Sequence, residues 1–378
     1  MKTQFYGFAL LFVLAMRSCS TTDPSTLPNR PPLLGSSGSS AVVAAPQSIP
    51  QSSSNTSSLS PIFSIGSAST SLQLVPPAAA PANQHPLEID GRRAREYPGS
   101  DITIESTLDP GSNYSRYYVS YLSDGLKIYA MLTIPNGPKP PTGWPVVIFN
   151  HGYIPPDVYR TTERYVNYLD QIASNGYIVL KSDYRGHDRS EGTPGGAYTQ
   201  DNYTIDVLNA VASIKRYPDA DPNRIGMWGH SMGGYITLRS MVISRDIKVG
   251  VIWAGVVVPY PDIYTRWNPG AQPTTPGPGS WIYSLEQSYG TPESNPAFWQ
   301  SISANSYLKD LSGPIQIHTG TNDHDVPWQF SQMLYDEMLA ANQVAELYTY
   351  DGDNHNISNN FSLAMQRTVE FFDRYLKN

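Results

Sequence analysis

From residue 146 to the C-terminus the chain alternates short apolar runs with segments of helical period, and this alternation limits the architectures open to it. Residues 146–149, 178–180, 225–228, 249–254, 315–318 and 345–350 read as strands. Between them, Tyr165, Tyr168, Leu169 and Ile172 mark one helix face, closed by Asn175-Gly176, while Val207, Val211 and Ile214 mark a second. Residues 232–243, a segment around 330–339, and a last one carrying Met365, Val369, Phe372 and Leu376 supply three more helices. The pattern predicts an α/β class, a mostly parallel sheet with helices on both faces. Ahead of it, residues 102–108, 117–122 and 126–134 read as antiparallel strands, the last two joined at an Asp124-Gly125 hairpin.

The alternation does not extend to the N-terminal side. Between residues 20 and 86 there are 17 serines and 11 prolines, and the only charges are Asp23 and Arg30. Such a stretch has no apolar period from which to draw a core, so 21–86 is expected to be a disordered Ser/Pro-rich linker. Before it, Lys2 precedes an apolar run over 5–16 and the small residues Ser18-Cys19-Ser20, the layout of a signal peptide over 1–20. Two forms of export fit: ordinary cleavage after Ser20, or a lipoprotein-type signal with Cys19 lipidated and Arg17 as a departure. The expected location is outside the cytoplasm, secreted or held at the cell surface by a tether on Cys19. A single cysteine excludes internal disulfides and cysteine-based zinc sites. The net charge of −7 argues against a nucleic-acid partner.

Residues 87–378 are then expected to form one α/β domain. Within it, 256–311 interrupts the alternation after the strand that follows the helix 232–243. This insertion holds Trp267, Trp281, Trp299, five tyrosines and Phe298 among many prolines. It is expected either to wall a substrate pocket as a lid or to form a satellite core under a long loop.

Gly229-His230-Ser231-Met232-Gly233 follows the strand 225–228 and precedes an apolar helix. In that strand–turn–helix context a G-x-S-x-G sequence exposes a serine above the sheet, and its tight turn demands small residues on either side. The N–H of Met232, at a helix N-terminus, would face a developing oxyanion. A nucleophilic serine needs a base and an orienting carboxylate, met on this architecture in the chain order Ser, acid, His. His85 lies in the linker, His151 and His187 precede the serine, His230 is within the elbow, His318 is within a strand and His324 is on the acid loop; His355 is left. The acid is expected on 320–327, where Asp323 is preferred and Asp325 is held in reserve. A second oxyanion donor is expected from Asn150-His151-Gly152-Tyr153, with the Tyr153 N–H as donor and His151 as a structural support.

The series His151-Gly152, Asp183-Tyr184-Arg185-Gly186-His187, Gly229–Gly233, Gly320/Asp323/Val326-Pro327 and His355 resembles the catalytic domain of the prolyl oligopeptidase family, α/β-hydrolase-fold serine peptidases with esterase and dienelactone-hydrolase-like relatives. The resemblance implies a Ser231–Asp323–His355 triad with Met232 and Tyr153 lining the oxyanion hole, and neither cofactor nor metal. Asp183 and Arg185 are expected to pair structurally beside the site. The N-terminal side offers no room for propeller blades, so the aromatic insertion is expected to select a small-molecule or short-peptide substrate. The implied function is a serine hydrolase cleaving a peptide or ester acyl bond. A carboxylesterase on small or sugar esters is one alternative, and a non-catalytic surface binding module on this scaffold is another.

Overall fold

The computed structural model describes residues 42–43, 85–267 and 280–377. Its centre is one sheet. In chain order the strands are β1 (Val42–Val43), β2 (Thr103–Leu108), β3 (Tyr114–Ser123), β4 (Leu126–Pro135), β5 (Trp144–Asn150), β6 (Ile178–Ser182), β7 (Ala220–His230), β8 (Ile247–Trp253), β9 (Ile315–Gly320) and β10 (Ala345–Tyr350). Their spatial order is β1-β10-β9-β8-β7-β5-β6-β4-β3-β2. From β6 to β10 neighbours run parallel, and β4, β3 and β2 complete the sheet antiparallel. This is the mostly parallel α/β sheet that the strand and helix pattern predicts, in the α/β-hydrolase arrangement that the family resemblance implies.

Both faces of the parallel part are buried, as crossover helices require. Side chains alternate strictly. On β5, Val146 and Ile148 enter one core while Val147 and Phe149 enter the other. On β6, Ile178 and Leu180 separate from Val179 in the same way. The helices are α1 (Ile89–Ala94), α2 (Val166–Ala173), α3 (Asn202–Ile214), α4 (Met232–Ile243), α5 (Tyr260–Arg266), α6 (Trp281–Tyr289), α7 (Pro296–Ile302), α8 (Gln329–Ala340) and α9 (Phe361–Leu376). Helices α3, α4 and α8 cover the first face, and α2 and α9 the second. α4 is buried from Met232 to Val242 without a solvent face, so no apolar stripe distinguishes one of its sides.

The linker expectation needs two amendments. Val42–Val43, inside it, pairs antiparallel with β10 at the sheet edge. His85, also assigned to it, packs edge-on against Tyr289 and Phe298, so the folded region begins slightly earlier than residue 87. The signal peptide with Cys19, the rest of the linker and residues 268–279 of the insertion lie outside the described residues.

The described part of the insertion is helical. Ser280 caps α6 through the Tyr283 N–H, and Asn295 caps α7, whose first residue is Pro296. Ile282, Leu285, Phe298, Trp299 and Ile302 are buried in the same core as α4. The packed-core reading therefore holds for α6 and α7. Trp267, at the end of α5, behaves differently: it reaches out to donate its indole N–H to the Asp325 carbonyl at 2.8 Å. Underneath, the fully buried Arg239 guanidinium lies 2.9 Å from Asp201 and donates to the Ile302 and Leu87 carbonyls. Asp201 also meets Arg92 at 3.1 Å. One charge cluster thus joins α1, α4 and the insertion.

The elbow glycines are fixed by backbone contacts. A Cβ on Gly233 would stand 2.0 Å from the Asn150 carbonyl oxygen, and one on Gly229 would stand 2.1 Å from the Gly233 carbonyl. Gly137, with φ 101°, has nothing within 4 Å of its would-be Cβ. Gly233→Ala is therefore expected to cost more than about 3 kcal/mol, beyond the usual overpacking penalty, or to prevent folding. Gly137→Ala, which meets only backbone strain, should cost about 1–2 kcal/mol. Urea unfolding of the two variants checks the contrast, and equal losses would contradict it.

Candidate active site

Three loops at the carboxyl ends of β5, β9 and β10 surround the turn between β7 and α4. Ser231 occupies that turn with φ 57° and ψ −119°, a region L-residues avoid. Three backbone bonds hold it there. Its N–H donates to the Trp253 carbonyl at 2.9 Å, and its own carbonyl accepts from Gly234 at 2.9 Å and Val256 at 3.3 Å. The hydroxyl makes no hydrogen bond to another described residue, and the side chain is half-buried. Met232 opens α4, where first-turn N–H groups have no intrahelical acceptor.

The acid loop after β9 separates its two carboxylates. Asp323 is buried; its Oδ1 accepts the N–H groups of Asp325 (2.8 Å) and Val326 (2.9 Å). That leaves Oδ2, which accepts the His355 Nδ1–H at 2.7 Å. Asp325 is exposed. The structure thus distinguishes two residues whose positions in the sequence did not.

The loop after β10 is organised by a residue the sequence reading passed over. Asp353 is fully buried and accepts the N–H groups of Asn354 (3.0 Å), Asn359 (3.1 Å) and Asn360 (2.9 Å), plus the Asn360 side-chain amide (3.0 Å). Its signal was the Asp-x-x-x-x-x-Asn-Asn spacing of a carboxylate that gathers the N–H groups of its own loop ahead of α9. The same residue joins the two loops: its carbonyl accepts the Asn322 N–H at 2.9 Å. His355 and Asp323 are thereby carried on one hydrogen-bonded unit.

The loop after β5 is likewise fixed from behind. His151 is fully buried and stacked between Tyr159 and Tyr184, with centroids 4.5 and 4.2 Å away. Its Nδ1 donates to the Gly152 carbonyl at 2.7 Å, and its carbonyl accepts from Tyr184 Oη at 3.1 Å. This is the supporting role expected of it. A Cβ on Gly152 would stand 3.2 Å from Ser231 Cβ, so this loop lies directly against the serine. The Gly152 N–H is taken by Tyr165 Oη at 3.0 Å. The next N–H, that of Tyr153, has no acceptor among the described residues, and the Tyr153 side chain is exposed.

Burial lowers the pKa of His230 to about 3 and of His187 to about 4, and holds His151 well below the ordinary histidine range. These three imidazoles are neutral at neutral pH.

The expected Asp183–Arg185 pair is not formed. Tyr184, between them at φ 63°, turns the chain just past β6, so the two side chains meet different partners. Arg185 instead pairs with buried Asp206 at 2.7 Å and with Asp124 at 3.3 Å. Asp183 accepts from Tyr159 Oη (2.9 Å) and Thr161 Oγ1 (2.5 Å), and its burial raises its pKa above the ordinary carboxylate range.

Asp323, Asp325 and His355 bring ligand-type atoms within 4.8 Å of one another. The donor set does not suit a metal. His355 Nδ1 and Asp323 Oδ2 are spent on each other, and Asp323 Oδ1 is spent on two amides.

A buried imidazole–carboxylate pair on the loops after β9 and β10, a serine on a strained strand-to-helix turn and a mostly parallel sheet of matching strand order place this chain among the α/β-hydrolases. Within that class it belongs to the prolyl oligopeptidase family, whose sequence pattern matches residues 164–378. It is 25% identical over 250 residues to human dipeptidyl peptidase 8, covering 62% of this chain and 25% of that one. It is 29% identical over 168 residues to the Escherichia coli K12 protein YfhR, covering 43% of this chain and 49% of that one. The chain thus spans half or less of the length of these relatives. Among solved structures, the acetyl xylan esterase of Paenibacillus sp. R4 superposes with a TM-score of 0.58 at 18% identity, covering 76% of this chain and 93% of that one. A likeness at that identity is one of fold.

The geometry separates the two carboxylates by burial and by the bond to His355. Asp323→Asn should lower kcat by about 10³–10⁴-fold, because an amide in place of the carboxylate favours the wrong imidazole tautomer. Asp325→Asn should change it less than about threefold. Steady-state kinetics on an activated ester measures both, and the reverse ordering would move the acid to Asp325.

Proposed function

We propose that this protein is a serine hydrolase in which Ser231 is the nucleophile, His355 the general base and Asp323 the residue that orients it. The observation that carries the proposal is the 2.7 Å His355 Nδ1–Asp323 Oδ2 bond, on a loop whose His355 carbonyl is bonded to His230, the residue before the strained Ser231. With the proton held on Nδ1, the Nε2 lone pair is free to accept. Ser231 Oγ adds to an acyl carbon as its proton passes to Nε2, and the carbonyl oxygen becomes an oxyanion facing the N–H groups of Met232 and Tyr153. Collapse breaks the bond to the leaving alcohol or amine, which takes the proton from Nε2. Water then repeats the sequence on the acyl-enzyme and releases the acid. Each oxyanion donor contributes about 2.7–4 kcal/mol to the transition state.

The substrate class follows from family and from the insertion. Peptidase chemistry on short peptides is supported by membership in the prolyl oligopeptidase family. Ester cleavage is supported by the fold likeness that spans nearly all of an acetyl xylan esterase. Trp267, half-buried and bonded to the acid loop, is the aromatic wall we assign to the substrate's apolar part. A fluorophosphonate probe should label the folded wild type and leave Ser231→Ala unlabelled; labelling of the variant would overturn the assignment of the nucleophile. Aminoacyl-anilide hydrolysis at rates within about a hundredfold of p-nitrophenyl esters supports the peptidase reading. Anilide turnover indistinguishable from Ser231→Ala assigns the site to esters.

Export is proposed from Lys2, the apolar run 5–16 and Ser18-Cys19-Ser20. Among the described residues no helix is long and apolar enough to cross a membrane; the tether we propose is a lipid on Cys19. The N-terminus of the protein from its native cell, read by mass spectrometry, tests this. Thr21 marks ordinary cleavage and a lipidated Cys19 marks a tether, whereas a chain retaining Met1 overturns export.

A further inference from the structure

His230 stands beside the nucleophile in sequence yet takes no part in the proposed chemistry. It is buried, its ring centroid lies 4.5 Å from that of His355, and both its nitrogens are committed. Nε2 is 3.0 Å from the His355 carbonyl oxygen, and Nδ1 is 2.7 Å from Tyr165 Oη. Tyr165 Oη in turn accepts the Gly152 N–H at 3.0 Å. The directions of these three bonds are fixed by donor supply. Because a carbonyl only accepts, Nε2 must carry hydrogen; in a neutral imidazole Nδ1 then accepts, and its donor is the phenol. The chain runs Gly152 N–H to Tyr165 Oη–H to His230 Nδ1, and His230 Nε2–H to the His355 carbonyl. It closes only with His230 neutral, which its burial ensures.

The geometry points to Tyr165 and His230 as positioning residues: one hydrogen-bonded clamp that sets the oxyanion loop and the His355 loop in register about Ser231. Two further observations fit. Tyr165 sits at φ 62°, in the left-handed region, at the entrance to α2; a bulky residue keeps that conformation only where its surroundings impose it. A Cβ on Gly152 would lie 2.5 Å from Tyr165 Oη, so the phenol is pressed against the backbone whose next N–H is the oxyanion donor. Without the hydroxyl, Gly152 N–H loses its acceptor and competes with Tyr153 in aim. His230 also loses the donor that selects its tautomer, and with it the bond to the His355 loop.

The inference rests on the Ser231–His355–Asp323 reading, and its test keeps the two apart. Tyr165→Phe removes one oxygen and leaves the ring. In the full chain, with p-nitrophenyl acetate as substrate, kcat should fall about 10–100-fold while KM stays within about twofold, because only transition-state contacts are misplaced. The rate of fluorophosphonate labelling at Ser231 should fall in parallel. His230→Leu, which can neither donate to the His355 carbonyl nor accept from the phenol, should show a similar loss. The double variant should be within about twofold of the slower single one, since both break the same chain. Wild-type kcat in a folded Tyr165→Phe protein, or losses that multiply in the double variant, would overturn the clamp. Failure of the wild type to label at Ser231 would overturn the triad reading instead.

Discussion

The seating of α4 against the end of β5 is the contact on which the site depends. Helix and loop approach until the Gly233 backbone leaves no room for a methyl group beside the Asn150 carbonyl. That closeness forces the turn before the helix into the strained conformation of Ser231 and lifts its hydroxyl above the sheet. It also brings Gly152 against the serine, so the Ser231 turn and the loop after β5 are set by a single packing event. The strain persists because α4 is buried on every side and cannot relax outward.

Buried carboxylates bind the remaining parts to that centre. Asp353 gathers four donors and shapes the histidine loop, and Asp206 anchors the arginine that follows β6. Neither touches the reacting atoms. Each satisfies backbone or guanidinium donors that an irregular loop would otherwise bury unpaired, at a cost of about 1–3 kcal/mol apiece. Loops that carry chemistry are thus held from the interior side, leaving their outer faces for substrate.

Much of this was legible in the residues because the local signals and the fold agree. The strand at 345–350 and the helix at 232–243 have the predicted bounds, since apolar runs there are closed by sharp turns. The strands of the parallel sheet read clearly because both of their faces are buried. β7, in contrast, begins at Ala220, well before its apolar run, through Asp221-Pro222-Asn223-Arg224, which carries no strand period. The helices of the insertion were hidden by its prolines, although Ser280 and Asn295 are ordinary caps. His355 emerged by elimination along the chain, and the choice between Asp323 and Asp325 needed the direction of one side chain. Arg185 misled by adjacency: its true partner, Asp206, is one strand-to-helix connection away. Tyr165 could not be found at all, because the sequence shows it as one apolar position of a helix face, whereas its hydroxyl bonds to residue 230.

The Arg239 cluster bears on how such a protein can diversify. Loops inserted between strands are usually the parts that evolution trims or exchanges most freely. Here the segment after β8 supplies the Ile302 carbonyl to a guanidinium with no exposed surface, on the helix that carries the nucleophile's turn. Its side chains also complete the core beneath. Excising the segment would strip an acceptor from a buried cation, and grafting it elsewhere would leave its own carbonyl without a donor. Replacing the insertion whole would therefore disturb the helix that follows Ser231 as well as the surface above it.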